Sequence, residues 1–405
     1  YSPTMKITNC PISGSSRSIE YLDLGNVPLV NNLCATKEES LNVERFPLAI
    51  QLFPESNLTC LTEVVDKDSL FLNYLYRSSV NKPYLEHCSN MYDYLSKLID
   101  LKPNDYVVDV GGNDGSLLLE FRKKNPTLHY VNVDASHSFK EMNEEAGIEY
   151  VNDYFGETTK LSKKAKLITS TNVFQHTEPV RSFVKGVYQN LTDDGMWCLE
   201  FPYLLTTLLN DNYDQIYHEH VYYFCLQNIM DLADQEGLKV VNVSYHDMHA
   251  GTLRVLTMKK TASTKVDITV PSFLNLEKTI TEEYCVRWGK RTKEKINEFK
   301  SYILDLVAKD KKIAGFGAAA KGCVFLNSVG IDDSMIQFIV DDTPFKQGKF
   351  VPGTGIQVVS RERLYNSKID YIVILAHNFK DYIIESLKGK YDGEFIVMFP
   401  DIKKY

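Results

Sequence analysis

The chain has 405 residues, a length typical of two or three domains. Hydrophobic residues make up 44% and charged residues 24%, an ordinary soluble, globular balance. The formal charge of −8 is spread along the chain without a Lys/Arg stripe, so nucleic acid is not expected as a partner.

Two further features concern the compartment. No apolar run approaches the roughly 20 residues that cross a bilayer, and the first residues lack the apolar core of a signal peptide. The eight cysteines are scattered without the spacing of a disulfide framework. We therefore expect reduced thiols, a cytoplasmic location and no membrane partner.

The first part of the chain, residues 1–66, is predicted to form a small strand-rich domain. Short β-prone runs occur at residues 19–22 and 46–50. An aromatic stretch with helical character follows at residues 70–101.

From Tyr106 onward, β-rich runs alternate with amphipathic segments of helix length. This rhythm predicts an α/β fold with a mainly parallel sheet, in a domain spanning residues 67–262. The runs are residues 106–110, 129–133, 167–170 and 196–200, with later strands at 239–243 and 252–256 that are expected to add an antiparallel edge.

A second α/β rhythm predicts a C-terminal Rossmann-like domain at residues 263–405. A long charged helix at residues 277–309 is expected to connect the two α/β domains. The β-rich runs that follow it are residues 312–316, 336–340, 371–375 and 395–398.

A glycine-rich turn follows the first strand of the middle domain. Gly111, Gly112 and Gly115, with Asn113 between them, let the backbone turn sharply and approach a ligand. Asp109, near the end of the strand, is suited to the ammonium group of a methionine moiety. The spacing is not G-x-G-x-x-G, which makes a pyrophosphate cradle less favoured.

Acidic residues follow the next two strands. Asp134 lies about 20 residues beyond the glycine turn, where an acid suits the two hydroxyls of a ribose. Asp153 and Tyr154 follow the third strand, where a carboxylate and an aromatic ring can contact adenine. Together with the turn, these residues predict an S-adenosylmethionine site in a class I methyltransferase domain, with NAD as the alternative cofactor.

Tyr217, Glu219 and His220 stand out after the strand at residues 196–200, at the expected active-site edge of the sheet. A His is a suitable base near neutral pH, a neighbouring Glu can orient it, and a Tyr hydroxyl can donate to an enolate oxygen. His218 and His220 lack the spacing of a helical zinc site, so no catalytic metal is expected. The alternative is that these side chains only hold a loop together.

Other residues are predicted to reach the same cleft. Asn172 and His176 follow the fourth strand and are expected to face the cofactor methyl group. Tyr203 follows the strand at 196–200, and His249 precedes the last strand. For each His alone, a structural role is the alternative.

Five ordered segments resemble the sugar C-methyltransferases of deoxysugar biosynthesis, of the tetronitrose-pathway type. The family patterns EVPYL, IYHEH, HGGSLR, IAGYGAPAKG and DxNPxKQGRxxPGT are similar to residues 200–204, 216–220, 249–254, 313–322 and 341–354. The resemblance covers nearly the whole chain. It implies S-adenosylmethionine-dependent methylation of a carbon in a nucleotide-linked keto-deoxysugar of the dTDP type.

The resemblance also implies roles for particular residues. His220 corresponds to the family's favoured base, with Tyr217 and Glu219 lining the site and His176 close by. Tyr74 and Tyr76 match a Tyr-x-Tyr segment that closes over the substrate.

The glycine-rich turn of the C-terminal domain resembles a second nucleotide site, with a vestigial Rossmann turn as the alternative. Lys321, Lys346 and Gln347 are suited to a diphosphate, and Asn327 is assigned to the same substrate-binding set. We predict that this domain grips the nucleotide-sugar.

The chain departs from the family in its N-terminal domain, which usually binds zinc through two C-x-x-C pairs. Those pairs correspond here to residues 10–13 and 53–56, of which only Cys10 is a cysteine. A closed zinc site needs four ligands. We therefore predict a degenerate zinc-binding domain without zinc, with an apolar or hydrogen-bonded core in its place.

Three other functions remain compatible with these motifs. They are an O-methyltransferase acting on a sugar nucleotide, an NAD-dependent sugar oxidoreductase and a non-catalytic nucleotide-sugar binding protein. Retention of Tyr217, Glu219 and His220 argues against the last of these. A monomer or small homo-oligomer is expected.

Overall fold

The N-terminal part of the chain forms a β-rich layer. The computed structural model describes residues 4–71, 81–177 and 179–405. The first elements are β1 (Thr4–Lys6), β2 (Ile19–Pro28), α1 (Lys37–Leu41), β3 (Arg45–Phe53), β4 (Leu58–Leu61), β5 (Glu63–Val65) and α2 (Lys67–Phe71). The strands β2, β3 and β4 pair antiparallel, and β1 pairs with β5. The strand-rich character predicted for this segment is confirmed.

The middle of the chain forms a seven-stranded sheet in the order β12-β13-β10-β9-β6-β7-β8. Its elements, with the short strand β11 that lies elsewhere, are α3 (Lys82–Ser96), β6 (Tyr106–Val110), α4 (Ser116–Lys124), β7 (His129–Val133), α5 (Lys140–Glu145), β8 (Glu149–Val151), β9 (Ala165–Thr171), α6 (Val180–Asn190), β10 (Leu191–Pro202), α7 (Leu204–Leu209), β11 (Tyr222–Tyr223), α8 (Leu226–Gln235), β12 (Leu238–His246) and β13 (Thr252–Lys259). The strands β6 to β10 run parallel to one another, whereas β13 pairs antiparallel with both β10 and β12. The predicted parallel sheet with an antiparallel edge is therefore confirmed.

Burial explains why these strands are so apolar. Val107, Val108 and Val131 are fully buried, as expected for parallel strands covered by helices on both faces. The carboxyl ends of β6, β7, β8 and β9 consequently meet at one edge, where polar loop residues can gather.

The C-terminal part forms a second sheet in the order β16-β15-β14-β17-β18-β19. Its elements are α9 (Thr269–Leu276), α10 (Glu282–Ala308), β14 (Ile313–Phe316), α11 (Ala320–Val329), β15 (Ile339–Val340), β16 (Val358–Val359), α12 (Arg361–Tyr365), β17 (Tyr371–Ile374), α13 (Lys380–Ser386), β18 (Glu394–Val397) and β19 (Lys403–Lys404). The predicted second α/β unit is confirmed. The strand predicted at residues 336–340 is β15 and begins only at Ile339. The N–H groups of Met335 and Ile336 instead donate to the Asp332 carbonyl in a turn. None of the helices in the described ranges is long and apolar enough to cross a bilayer.

The long charged helix predicted at residues 277–309 differs from the structure in two ways. Glu277–Thr279 is a short 3₁₀ turn, and α10 begins only at Glu282, where Thr281 caps it by accepting the N–H of Tyr284. The helix also packs against β2, so close that a Cβ on Gly289 would lie 1.6 Å from the Tyr21 carbonyl oxygen. It is therefore part of the core and not only a connector.

The loop between β10 and β11 crosses from one sheet to another. β10 lies in the middle of the seven-stranded sheet, whereas β11 pairs with β4 at the edge of the N-terminal sheet. The 3₁₀ turn Tyr213–Gln215 lies in this crossing segment, as do three of the predicted catalytic residues, Tyr217, Glu219 and His220. All three parts of the chain consequently surround it.

Candidate active site

The glycine-rich turn after β6 has the backbone geometry that its residues suggest. Gly111, Asn113 and Gly115 have φ values of 67°, 58° and 81°, which glycine and asparagine tolerate better than other residues do. The N–H of Asn113 donates to the Asp134 carboxylate at 2.8 Å. The turn after β6 and the acid after β7 therefore form one unit.

A buried amide network, which the sequence analysis missed, holds this turn. Asn132 is fully buried in β7, and its Oδ1 accepts the N–H of Gly112 at 2.9 Å. Its Nδ2 donates to the Asn113 carbonyl, as does Nδ2 of Asn143. The only sequence signal was a polar residue at a position where β7 is otherwise buried.

Asp109 lies buried beneath the turn, where it accepts the Thr169 hydroxyl at 2.8 Å. Burial raises the pKa of the Asp109 carboxyl to about 8, because the charged form is poorly solvated there. A cation beside this carboxyl would favour its charged form, which fits the ammonium group of S-adenosylmethionine. Thr169 was not anticipated from the sequence.

The other predicted cofactor residues lie at the same edge of the sheet. The exposed Asp153 accepts the backbone N–H of Tyr154, whose half-exposed ring lies 4.9 Å from the Lys67 ammonium. Asn172 has a positive φ of 55°, and its buried Oδ1 has no hydrogen-bond partner within the described residues. The edge therefore offers glycine, carboxylate and amide groups that fit the cofactor.

His220 has a defined hydrogen-bonding pattern. Its Nδ1 lies 3.0 Å from the carbonyl oxygen of Gln215, so this nitrogen carries the proton and donates. The other ring nitrogen, Nε2, then carries the lone pair. A histidine held in this tautomer is suited to accept a proton.

Two aromatic rings pack around His220. The His176 ring centroid lies 5.0 Å away, and that of Tyr217 lies 4.0 Å away. Burial holds the pKa of His220 well below its usual value of 6.5, and protonation of the neighbouring His176 would lower that pKa further. Burial also lowers the pKa of His176 to about 4, so both imidazoles are neutral near pH 7.

Glu219 does not orient the His220 imidazole as predicted. Its carboxylate instead accepts the side-chain amide of Asn31 at 2.6 Å, and its backbone carbonyl accepts Nδ1 of His176. Burial raises the pKa of the Glu219 carboxyl to about 7. The Gln215 carbonyl takes the orienting role, because the backbone turn brings it to the ring.

The raised pKa of Glu219 predicts a pH dependence of stability. A carboxyl that holds its proton more tightly in the folded state stabilises the fold below pH 4.5 and loses that contribution as the pH rises through about 7. Replacing Glu219 by Gln should therefore raise the free energy of unfolding relative to wild type by up to about 3 kcal/mol at pH 8, and by little at pH 4.5. Urea unfolding across this range measures the difference.

The exposed Glu145 on α5 provides a control for the change of charge. The variant Glu145→Gln should follow the wild-type pH profile. A Glu219→Gln profile parallel to wild type would show that Glu219 is an ordinary solvated carboxyl.

His220, His176 and Tyr217 form a cluster of rings, called the His220 cluster below. Two of the predicted substrate residues, His249 and Lys321, lie near it. The carbonyl oxygen of His249 accepts the Gln215 side-chain amide at 3.2 Å. Burial lowers the pKa of His249 to about 4 and also lowers that of Lys321. The positive charge of Lys321 helps to lower the pKa of both His220 and His249, so this residue of the C-terminal domain lies near the cluster.

Other predicted substrate residues are engaged by protein groups. The Tyr203 hydroxyl donates to Glu277 at 2.5 Å, and Glu277 also caps the start of α8 through the N–H of Leu226. This contact places Tyr203 in a structural network. Tyr74 and Tyr76 lie outside the described residues.

The C-terminal candidates form a second group around their own glycine turn. Lys346 Nζ lies 3.2 Å from the Ala318 carbonyl oxygen, and the Gln347 amide donates to the Asp341 carbonyl at 2.8 Å. The Asn327 amide donates to the Pro352 carbonyl at 3.0 Å. These side chains hold the loops of the C-terminal sheet, whereas the charge of Lys321 helps to lower the pKa of His220.

The positions that match the family's zinc ligands still lie together. The Cys10 thiol is 3.1 Å from the Ser56 hydroxyl, and the N–H groups of Ile12 and Ser13 point at its sulfur. Phe53 is fully buried beside them in the same core. Across the described ranges, His, Cys, Asp and Glu side chains form no group of three or more that could hold a metal.

A buried cluster of charged side chains in the seven-stranded sheet was also missed. Glu200 at the end of β10 lies 2.8 Å from Nε2 of His87 and 2.8 Å from the guanidinium of Arg254. His87 and Arg254 outweigh the effect of burial and hold the pKa of Glu200 below its usual value. The cluster joins α3 to β10 and β13, and no local spacing in the sequence signals it.

Comparisons with known proteins agree with this geometry. Residues 82–243 match a family described as a methyltransferase domain, and residues 247–400 match the C-methyltransferase C-terminal domain. The C-methyltransferase NovU of Streptomyces niveus is 30% identical over 407 residues, covering 98% of this chain and 96% of NovU.

Two solved structures match part of this chain. The plantazolicin methyltransferase BpumL, solved with SAH, is 11% identical with a TM-score of 0.37 and covers 45% of this chain and 87% of its own. The YcgJ protein of Bacillus subtilis is 14% identical with a TM-score of 0.36 and covers 44% and 100%. On the full-length match to NovU, the chain belongs to the C-methyltransferase family and is an S-adenosylmethionine-dependent methyltransferase.

Proposed function

We propose that the protein methylates a carbon next to the ketone of a nucleotide-linked keto-deoxysugar, with His220 as the base. The observation that carries the proposal is the tautomer of His220, whose Nδ1 donates to the Gln215 carbonyl at 3.0 Å. Its Nε2 is therefore available as an acceptor, and its lowered pKa keeps it unprotonated near pH 7. The similarity to NovU over 98% of the chain supports carbon as the methylated atom.

The chemistry suits a ketone, since a carbonyl acidifies the neighbouring C–H. His220 accepts that proton, and the electron pair of the broken C–H bond forms an enolate. S-adenosylmethionine, when bound, would supply the methyl group: the enolate electron pair would form the new C–C bond while the C–S bond breaks and leaves its electrons on sulfur. The buried cluster mainly orients the acceptor and excludes water.

The negative charge that develops on the ketone oxygen needs hydrogen-bond donors. Glu219, with a pKa of about 7, is partly protonated at neutral pH and can donate an O–H. The Tyr217 hydroxyl and the Lys321 ammonium are further candidates in the same cluster. In this proposed mechanism His220 accepts the proton and Glu219 donates to the enolate oxygen. Neither side chain has to bind a metal for these roles.

The remaining assignments extend this proposal. The acceptor is a dTDP-type sugar, as in the tetronitrose type of enzyme, and residues 263–405 grip its diphosphate with Lys321 and Lys346. The same proposal places the N-terminal domain at residues 1–66 and the methyltransferase domain at residues 67–262. It also includes the loss of zinc from the N-terminal domain. A cytoplasmic location fits the eight cysteines, all of which are buried thiols. A monomer or small homo-oligomer is part of the same proposal.

The test uses S-adenosylmethionine with a ¹³C-labelled methyl group and a panel of dTDP-linked and UDP-linked keto sugars. We expect a new C–CH₃ signal in the product from at least one dTDP-linked keto sugar. In deuterated buffer, the proton next to the ketone should also exchange. An O–CH₃ product would support O-methylation instead, and no product from any sugar of the panel would reject the substrate class.

A further inference from the structure

A contact between the two α/β domains lies behind the His220 cluster. Nε2 of His377, in the C-terminal domain, is 2.9 Å from the carboxylate of Asp214 in the crossing segment. The His377 side chain is 10% exposed and that of Asp214 is 1% exposed. The His377 ring also packs on Phe399, with ring centroids 4.9 Å apart. This is a buried contact with a fixed geometry.

The position of the contact in the C-terminal sheet is unusual. β14 continues to β15 and β16 on one side, whereas β17 and β18 lie on the other, so the direction of the sheet reverses between β14 and β17. Open α/β sheets bind ligands in the crevice outside the strand ends at that point. Here His377 follows β17, α11 follows β14, and the 3₁₀ turn Tyr213–Gln215 packs against α11.

The turn is held in this crevice at more than one point. The Tyr213 hydroxyl is 2.7 Å from the Ser328 hydroxyl on α11. The second carboxylate oxygen of Asp214 is buried and has no hydrogen-bond partner in the part of the chain that the structure describes. Burial lowers the pKa of Lys321 at the start of α11, and the nearby negative charge of Asp214 partly offsets this lowering. The carboxylate of the middle domain therefore lies where an open α/β sheet ordinarily receives a ligand.

The same turn sets the environment of the proposed base. Gln215 directly follows Asp214, and its carbonyl accepts the Nδ1–H of His220 at 3.0 Å. The Gln215 side chain donates to the His249 carbonyl at 3.2 Å. A displacement of Asp214 would consequently move the Gln215 carbonyl, which selects the His220 tautomer.

We propose that His377 is a positioning residue, through which the C-terminal domain fixes the turn at Asp214 and Gln215 and thereby the tautomer of His220. This inference rests on the proposed function of His220 as the base. It assigns the strand-end crevice of the C-terminal sheet a second role, as the socket for an active-site turn. The methyltransferase domain is then competent for proton abstraction only when the C-terminal domain is docked.

The test compares two substitutions of His377 in the full-length chain labelled with ¹⁵N-histidine. His377→Leu removes the N–H donor and retains an apolar side chain, whereas His377→Gln retains a donor near the position of Nε2. In wild type, the His220 ring should show a protonated Nδ1 and an unprotonated Nε2. We expect His377→Leu to give a mixture of tautomers at His220 and His377→Gln to restore the wild-type pattern.

Kinetics provide a second readout with the sugar that the panel identifies. His377→Leu should lower kcat by roughly 10- to 100-fold with little change in KM, as expected for a misplaced catalytic group. His129→Gln, in an exposed pair with Glu149 remote from the turn, serves as the control and should match wild type in both readouts.

The outcomes separate this inference from the function on which it rests. If His377→Leu lowers thermal stability but leaves the His220 tautomer and kcat unchanged, the contact is only structural and the inference is wrong. If the tautomer changes while no sugar of the panel is methylated, the positioning role stands and the proposed substrate class fails.

Discussion

Replacing His220 by Gln is expected to lower kcat for methyl transfer by about 10²- to 10⁴-fold, the range that one positioned base contributes. A glutamine amide can still donate to the Gln215 carbonyl, but it cannot accept a proton near neutral pH. Binding of S-adenosylmethionine should remain close to wild type. Single-turnover transfer of the ¹³C-methyl group and isothermal calorimetry measure these two quantities separately.

Deuterium exchange sharpens this prediction, because it follows proton removal without methyl transfer. In the His220→Gln variant, exchange next to the ketone should slow by the same factor as kcat. If exchange continued at the wild-type rate, another group would be the base, and His176 in the adjoining ring contact would be the first candidate.

His218 offers a matched control in the same loop. Its ring is buried, and Nε2 lies 3.2 Å from the Phe46 carbonyl oxygen and 3.1 Å from that of Pro47. His218→Phe removes this donor, so we expect a loss of roughly 1–3 kcal/mol in unfolding free energy. Its kcat, measured well below the melting temperature, should stay within a few-fold of wild type. The reverse pattern for the two variants would assign the base to His218.

Local patterns explain what could be predicted from the sequence. The alternation of β-rich runs and amphipathic segments predicted both α/β sheets, because parallel strands buried on two faces must be apolar throughout. The glycines after β6 indicated a tight turn for a similarly local reason, since positive φ values restrict the residue type. Those features involve neighbours in the chain.

The contacts that set the chemistry at His220 are not local. Glu219 binds Asn31, and Asp214 binds His377, which are separated by 188 and 163 residues. The group that selects the His220 tautomer is a backbone carbonyl, which every residue possesses. Neither kind of contact has a signature in residue type or spacing, so the sequence indicates candidate side chains but not the groups that hold them.

The C-terminal domain shows the same limitation. Its glycine turn and the pattern around Lys346 predict a nucleotide site, but they do not show that Lys346 and Gln347 also bond to backbone carbonyls of their own domain. The spacing of residues in a motif indicates that a loop is conformationally constrained. It does not show whether a bound ligand or another loop constrains it. Lys321 is the exception, because its charge acts on His220 across the domain boundary.

The second large effect is expected at the cofactor turn, where Gly112→Ala should weaken binding of S-adenosylmethionine by about 100-fold. A Cβ at this position would lie 2.4 Å from Oδ1 of Asn132, which is fully buried. That oxygen accepts the Gly112 N–H at 2.9 Å, and Nδ2 donates to the Asn113 carbonyl at 3.0 Å. Asn132 cannot swing away without leaving buried polar groups unpaired, at a cost of about 1–3 kcal/mol for each.

Gly389→Ala separates this steric effect from the general cost of replacing a glycine. Gly389 has a φ of 76°, and a Cβ added there would meet nothing within 4 Å, so alanine should cost about 1 kcal/mol of stability through backbone strain. Its affinity for S-adenosylmethionine, measured by calorimetry, should equal that of wild type. An affinity of Gly112→Ala within threefold of wild type would mean that the cofactor is held elsewhere. A selective loss in Gly112→Ala would instead tie cofactor binding to the turn that Asn132 holds from below.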